Sequence, residues 1–409
     1  VRPVVAETLC AMLRHRVHPV IPSQGSVGAS GDLAPLAHLA QVAIGEGEAI
    51  LGDAPATTGQ NKRMSGAAAM SAAGIAPLAL EAKEGLALLN GTQAMQALLA
   101  LSLHQAEIAA DTADVAAALS LDALRGSPAA FDERIARVRP YPGHATTAAN
   151  LRRLNDASEI RESHRSAEKD QRVQDAYSLR CTPQVHGAVR DSLAQVRATL
   201  EIELNSATDN PLVFADTTAG GARAESVGEV ISGGNFHGQP LAMAADQMAV
   251  ALATLGGISE RRIEQMTNPQ TSLLPAFLVR EPGLNSGFMM LQVTAAALAS
   301  EMKAQSAPHS VDSIPTSANQ EDYVSMGMGA ARRLAPMLEN LRNILAIELL
   351  AACQGIDLLE PLRTGALAQQ AYQRVRATSK RVDVDRSLAG DIENVARLVG
   401  DAAFQKILA

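Results

Sequence analysis

LENLRNILAIELLAA, residues 338–352, sets Leu338, Leu341, Leu345, Leu349 and Ala352 at steps of three and four. That spacing lines them along one face of an α-helix, an apolar stripe that needs burial against another element. Leu193, Val196 and Leu200 repeat the step, and residues 240–266 and 287–307 are rich in Ala, Leu and Met. These residues favour helix and let helices pack closely. The expected fold is all-α, a bundle of long helices. One stretch departs from it: Leu212-Val213-Phe214 and Val227 to Ile231 flank Gly220-Gly221, which predicts a small β-hairpin flap. Thr57 to Ser65 reads as a surface loop, and no internal repeat or heptad array stands out. The chain is therefore taken as one helical body over 1–409, with 331–409 forming its C-terminal helices.

Composition narrows the function. The 409 residues are 47% hydrophobic and 19% charged, enough to bury a large core. A net charge of -8 opposes a polyanionic partner, and with aromatic residues at 2% and no Trp there is no stacking platform, so nucleic acid is excluded. Cys10, Cys181 and Cys353 are odd in number and form no CxxC pair, which points to a reducing cytoplasm and neither a disulfide framework nor a metal site. The apolar run Phe288 to Ala299 is interrupted by Gln292 and too short for a bilayer, so no membrane is expected. Val1-Arg2-Pro3 leads straight into an apolar-periodic stretch, so an N-terminal segment is expected upstream.

The chemically informative segment is GSVGASGDLAPLAHLA, residues 25–40. Read alone, it is a glycine-rich loop with Asp32 as the N-cap of a following helix. A phosphate-binding loop is disfavoured, because the GxxxxGK[ST] pattern and a preceding strand are missing. The segment resembles the signature of the aromatic amino acid ammonia-lyases, in its histidine-specific form. In that family the Ala-Ser-Gly triplet cyclises with loss of water. The resemblance thus implies a 4-methylidene-imidazol-5-one formed from Ala29, Ser30 and Gly31. Such a ring needs the nitrogen of residue 31 folded back onto the carbonyl of residue 29, a compressed geometry suited to glycine beside a small alanine. Ordinary side chains are poor electrophiles, so eliminating an amine from an unactivated amino acid calls for such a group.

Other segments carry the same resemblance along nearly the whole chain. EGLALLNGTQ, 84–93, resembles the family segment whose asparagine lies beside the cofactor, here Asn90; read alone, Asn90 is a helix-ending cap before Gly91. QDAYSLRC, 174–181, resembles the one that supplies an active-site glutamine, tyrosine and arginine, here Gln174, Tyr177 and Arg180. On a continuous helix these three share one face. Arg180 would clamp the substrate carboxylate and Tyr177 would polarise or shuttle a proton. SGGNFHGQPLA, 232–242, resembles the pocket segment, with Phe236 against the substrate ring; His237 beside it reads better as a hydrogen-bonded structural residue. SVDSIPTSANQEDYVSMG, 310–327, separates substrates. Plant-type phenylalanine and tyrosine lyases carry Gln where this chain has Glu321, and a carboxylate suits an imidazole while leaving a phenyl ring without a partner for the charge. TDNPL, 208–212, and residues 280–303 read as scaffold.

Some positions depart from the family pattern. Tyr323 and Met302 stand where His and Asn are expected in many histidine-specific members, and Pro55 to Met64 is longer than usual. Met302 follows Glu301 on a helix that would face the site. The family's N-terminal part carries a tyrosine base and a substrate-binding histidine that have no counterpart here. The resemblance implies non-oxidative elimination of ammonia from L-histidine to trans-urocanate, without metal or diffusible cofactor, in a homotetramer with shared sites. A tyrosine or phenylalanine lyase or aminomutase, a fumarase-like lyase without the imidazolone, and an inactive fragment remain the alternatives.

Overall fold

The computed structural model describes residues 1–52, 63–166, 168–170, 172–214 and 228–408. It is mostly helical and divides into two compact units built from interleaved segments. One unit comprises Val1–Leu99, Thr199–Ala245 and Pro308–Arg332; the other comprises Ala100–Ala198, Asp246–Ala307 and Arg333–Ala409.

The second unit is organised on the helix Leu334–Asp357, which packs against the helices Met289–Gln305 and Ala389–Gly400. Leu338, Leu341, Leu345, Leu349 and Ala352 are all buried, as their spacing requires. Glu348 is buried on the same helix and is fully compensated. The guanidinium of Arg262, itself buried, donates to both carboxylate oxygens, and the hydroxyls of Ser120 and Ser259 add two more bonds. Four donors on one carboxylate are what make a charge tolerable in such a place. Met302 is fully buried in this core, next to Gly256 and Ile344. It is a packing residue within this unit, while Met290 and Val293 on the same helix are exposed.

In the first unit the helix Pro3–Arg14 leads into a three-stranded antiparallel sheet made of Val17–Pro19, Glu48–Leu51 and Met64–Ser65, with Val17 opposite Leu51 and Glu48 opposite Ser65. Met12, Val17, Val42, Ala49 and Met70 form its core. This sheet was not expected. Its strands are two to four residues long, too short to display the alternation by which a strand is recognised. The expected hairpin is present as Leu212–Phe214 paired antiparallel with Glu229–Ile231. Val227 and Gly220-Gly221 lie outside the described residues, as do residues 57–62 of the expected loop and 55–62 of the longer stretch.

By length and composition alone, two stretches among the described residues, Glu84–Ala123 and Gln239–Thr267, are apolar enough to cross a membrane. The run 288–299 is thus not the longest apolar one. Along the second stretch Leu241, Met248, Leu252, Leu255, Ile263 and Met266 are buried within the protein.

Candidate active site

The loop preceding the helix Leu33–Ala43 is fixed by contacts with two distant segments. Gly31 has φ +75, and a Cβ there would lie 2.2 Å from the Gly91 carbonyl oxygen. Gly28 has φ +71, and a Cβ there would lie 2.2 Å from Ser325 Oγ. Both the left-handed backbone and the close approach restrict these positions to glycine. Asp32 N–H donates to the Gly91 carbonyl at 2.8 Å, and Met326 N–H donates to the Val27 carbonyl at 2.9 Å. Asp32 occupies the N-cap position, yet its side chain makes no capping bond. Its buried carboxyl instead accepts Met95 N–H and the Ser26 hydroxyl, both at 2.8 Å. Burial pushes its pKa up, against the pull of those bonds. The expected cap is therefore a brace between the loop and the helix that begins at Gln93.

Ser30 is half-buried, and its hydroxyl donates to Glu321 Oε1 at 2.6 Å. The other carboxylate oxygen, Oε2, accepts the hydroxyls of Thr316 at 2.7 Å and Ser317 at 2.6 Å. Hydrogen bonds from Ser30, Ser317 and Thr316 hold the Glu321 carboxyl below its usual pKa. The backbone closes the same turn, with Thr316 N–H to the Glu321 carbonyl at 3.0 Å and the reverse bond at 3.3 Å. Inside it Ser317, Ala318 and Asn319 all have positive φ, at 50°, 53° and 71°. For Ser317 and Ala318 this costs on the order of 1–2 kcal/mol each, whereas asparagine tolerates the region, and such strain persists only where the surroundings over-determine it. In the exposed run Asn-Gln-Glu-Asp, Glu321 is thus a partly covered acid whose oxygens are engaged by three hydroxyls.

Asn90 does end the helix Glu84–Leu89, but it is also buried and directed. Its amide nitrogen donates to the Asn210 carbonyl at 2.9 Å, and its Oδ1 has no hydrogen-bond partner among the described residues. Asp209 pairs with Lys83 Nζ at 2.8 Å beside it. The segment 208–212, read as scaffold, is thus what orients Asn90. Phe236 is half-buried in the turn before the helix Gln239–Thr267. His237 Nε2 sits 3.1 Å from the Tyr323 carbonyl oxygen, and its ring stacks on Tyr323 with centroids 6.3 Å apart and planes at 14°. His237 is accordingly structural, and Tyr323 is the residue it holds.

Gln174, Tyr177 and Arg180 belong to the second unit. The helix here is only Tyr177–Arg180, with Gln174 in a bend before it, so the single helical face expected for the three does not form. Its start is drawn instead into side-chain contacts. Asp175 accepts Ser127 N–H at 2.7 Å, and Arg172 is held by Asp170 at 2.9 Å. Ser178 anchors the short helix through its carbonyl, which accepts from buried Arg262 at 3.3 Å, and its hydroxyl, which donates to Gln265 at 3.2 Å. Tyr177 and Arg180 are exposed, and Gln174 and Arg180 line a polar cleft of about 330 Å³ with Arg161 and Asp170. The apolar cavity of about 380 Å³ behind Leu36, Leu39 and Met328 in the first unit contains none of the expected site residues.

Sequence reasoning missed Lys83, Asp209, Thr316, Ser317 and Ser325. Thr316 and Ser317 stand in the quoted segment 310–327, five and four residues before Glu321, a spacing that marks a carboxylate-binding turn only once the turn is seen.

Comparison with known proteins places these features. The family described as aromatic amino acid lyase matches residues 1–377. Histidine ammonia-lyase from Koribacter versatilis is 56% identical over 402 residues, spanning 98% of this chain and 76% of that protein. Histidine ammonia-lyase from Sorangium cellulosum is 53% identical over 406 residues, spanning 99% and 76%. Among solved structures, histidine ammonia-lyase from Trypanosoma cruzi superposes with a TM-score of 0.87 at 44% identity, covering 100% of this chain and 73% of that one. Tyrosine aminomutase from Streptomyces globisporus gives 0.90 at 39% identity, covering 100% and 77%. With a match over residues 1–377 and relatives this similar, the chain belongs to the aromatic amino acid lyase family.

Proposed function

We propose that this protein is a histidine ammonia-lyase, converting L-histidine to trans-urocanate and ammonia in the first step of histidine degradation. The observation that carries the reading is the carboxylate of Glu321, held ionised by hydroxyl donors with one oxygen 2.6 Å from Ser30 Oγ. An imidazole N–H satisfies that oxygen through a charge-assisted hydrogen bond; a phenyl ring leaves it unpaired.

The cofactor of this reading is a 4-methylidene-imidazol-5-one made from Ala29, Ser30 and Gly31. The loop fits it: position 31 admits only glycine, and Ser26, Gly91 and Met95 brace the adjoining Asp32. Once formed, the group supplies an electrophile at position 30 that withdraws electrons from the substrate and assists departure of the amine. The chain's own residues do the rest. Arg180, exposed and without a side-chain partner among the described residues, binds the carboxylate as a planar two-point donor. Phe236 packs on the ring, and Glu321 takes its N–H. Asn90 offers its unpartnered Oδ1 as an acceptor for an N–H of the substrate. Gln174 adds a polar contact, and Tyr177 holds or moves a proton at its phenol oxygen. The reading needs no metal or diffusible cofactor.

We further propose a homotetramer with shared sites, supported by exposed Met243, Val250, Met290 and Val293 on long helices. A cytoplasmic location agrees with three unpaired cysteines, one of them exposed. The aminomutase alternative is kept by the likeness to tyrosine aminomutase. Offering L-histidine, L-phenylalanine and L-tyrosine in parallel separates the two. Urocanate with an equal amount of ammonia should form from histidine with kcat/KM on the order of a hundredfold or more above the others. Coumarate, cinnamate or a β-amino acid as the main product would contradict the proposal.

A further inference from the structure

We propose that Thr316 and Ser317 are positioning residues for substrate specificity, occupying Glu321 Oε2 so that Oε1 alone meets the ring of the substrate. The inference rests on the histidine reading above and extends it to two residues that do not themselves touch the substrate.

A glutamate side chain ends in a broad terminal torsion and has acceptor sites on both oxygens. Left free, it would present either oxygen in a range of orientations. Here two hydroxyls fill Oε2 at 2.7 and 2.6 Å, and both come from the turn that the glutamate itself closes. The backbone bonds between Thr316 and Glu321 fix the base of that side chain. Three successive left-handed residues, Ser317 to Asn319, are needed to bring the Ser317 hydroxyl round to the carboxylate. Of these only Asn319 is a residue type at ease in that region, so Ser317 and Ala318 are held there against their local preference. Its geometry is maintained for the carboxylate at its closing end.

Among the described residues the remaining oxygen has one side-chain donor, the Ser30 hydroxyl. When Ser30 is dehydrated, its Oγ leaves as water and that donor leaves with it. Oε1 then faces the former Ser30 hydroxyl position with an acceptor site open. The donor that fits is an N–H on a compact ring, which imidazole has and phenyl lacks. Without Thr316 and Ser317 the carboxylate keeps its charge but loses its aim, so binding of imidazole-bearing molecules falls while binding through the carboxylate clamp does not.

The test uses Thr316→Val, Ser317→Ala and the pair together, with Thr316→Ser as the hydroxyl-retaining control. Calorimetric binding of 3-(imidazol-4-yl)propionate and 3-phenylpropionate is compared alongside KM and kcat for L-histidine and the thermal midpoint. Each hydroxyl deletion should weaken the imidazole probe and raise KM roughly three- to tenfold, the pair by more. The phenyl probe should hold its affinity, kcat should change less than KM, and the Thr316→Ser control should bind both probes as the unsubstituted protein does. Equal weakening of both probes, or no change in either, overturns the inference. If Glu321→Gln itself leaves the ratio of the two probes unchanged, the histidine reading fails, and the inference fails with it for that separate reason.

Discussion

Replacing Ser30 with alanine is expected to abolish turnover of L-histidine, a loss of at least about a thousandfold in kcat, while helix content stays the same. The substitution deletes one hydroxyl from a half-buried side chain and leaves no cavity of consequence. Relative to the uncyclised chain it removes the bond to Glu321 Oε1, a hydroxyl-to-carboxylate contact worth at most about 1.5–3 kcal/mol at this half-buried position. Alanine also keeps the small Cβ at position 30, so Gly28 and Gly31 retain their close approaches to Ser325 and Gly91. Stability should therefore move by a few degrees in Tm at most. The chemical effect is of another order, because alanine has no oxygen to lose and no electrophile can form at that position. Measuring urocanate absorbance with circular dichroism on the same sample separates the two effects. Retained activity in the variant would show that Ser30 does not carry the reaction.

Glu321→Gln is expected to have the next largest effect, and one that depends on substrate. Glutamine keeps the size and shape of the side chain, so packing in the turn is preserved. It loses the charge, and the Thr316 and Ser317 hydroxyls must reorient wherever the amide nitrogen replaces Oε2. Losing a charge-assisted hydrogen bond to the imidazole costs about 1.5–3 kcal/mol, or roughly ten- to a hundredfold in kcat/KM for histidine. A larger loss would assign Glu321 a part in moving protons as well. For phenylalanine and tyrosine the loss should be much smaller, or activity should rise, because their rings offer no N–H to the carboxylate and gain nothing from its charge. Equal losses on all three substrates would remove the basis for histidine specificity and leave only the wider family assignment.

The helices were legible in the sequence wherever periodicity ran long enough. The step that gives Leu338, Leu341 and Leu345 one face is local, and burial in the helix Leu334–Asp357 follows it. The hairpin was legible through a different signal, the two apolar runs flanking Gly220-Gly221, although its strands are only three residues long. The sheet around Val17 was not, because strands of two to four residues carry no pattern of their own and exist through pairing. Asp32 shows how a local rule is outbid: the capping residue type is in place, but Ser26 and Met95 take its oxygens. The short helix Tyr177–Arg180 shows the converse, since Asp170, Arg172 and Asp175 engage the chain ahead of it and end the helical register that the spacing suggested. At the candidate site, Ser30 and Glu321 were singled out by motif resemblance. Their contact across 291 residues of chain, and the strained turn that directs the carboxylate, belong to tertiary structure. Neither Ser317 nor Ala318 carries a local signal for left-handed backbone.

The most direct test of the account is the mass of the unsubstituted, active protein. Cyclisation and dehydration of Ala29-Ser30-Gly31 must lower the intact mass by two water molecules relative to the sequence, and peptide mapping must place the whole deficit on the fragment containing Ser30. Ser30→Ala, analysed alongside, should lack the deficit. Active protein at its full sequence mass, or a deficit mapping elsewhere, would contradict the account.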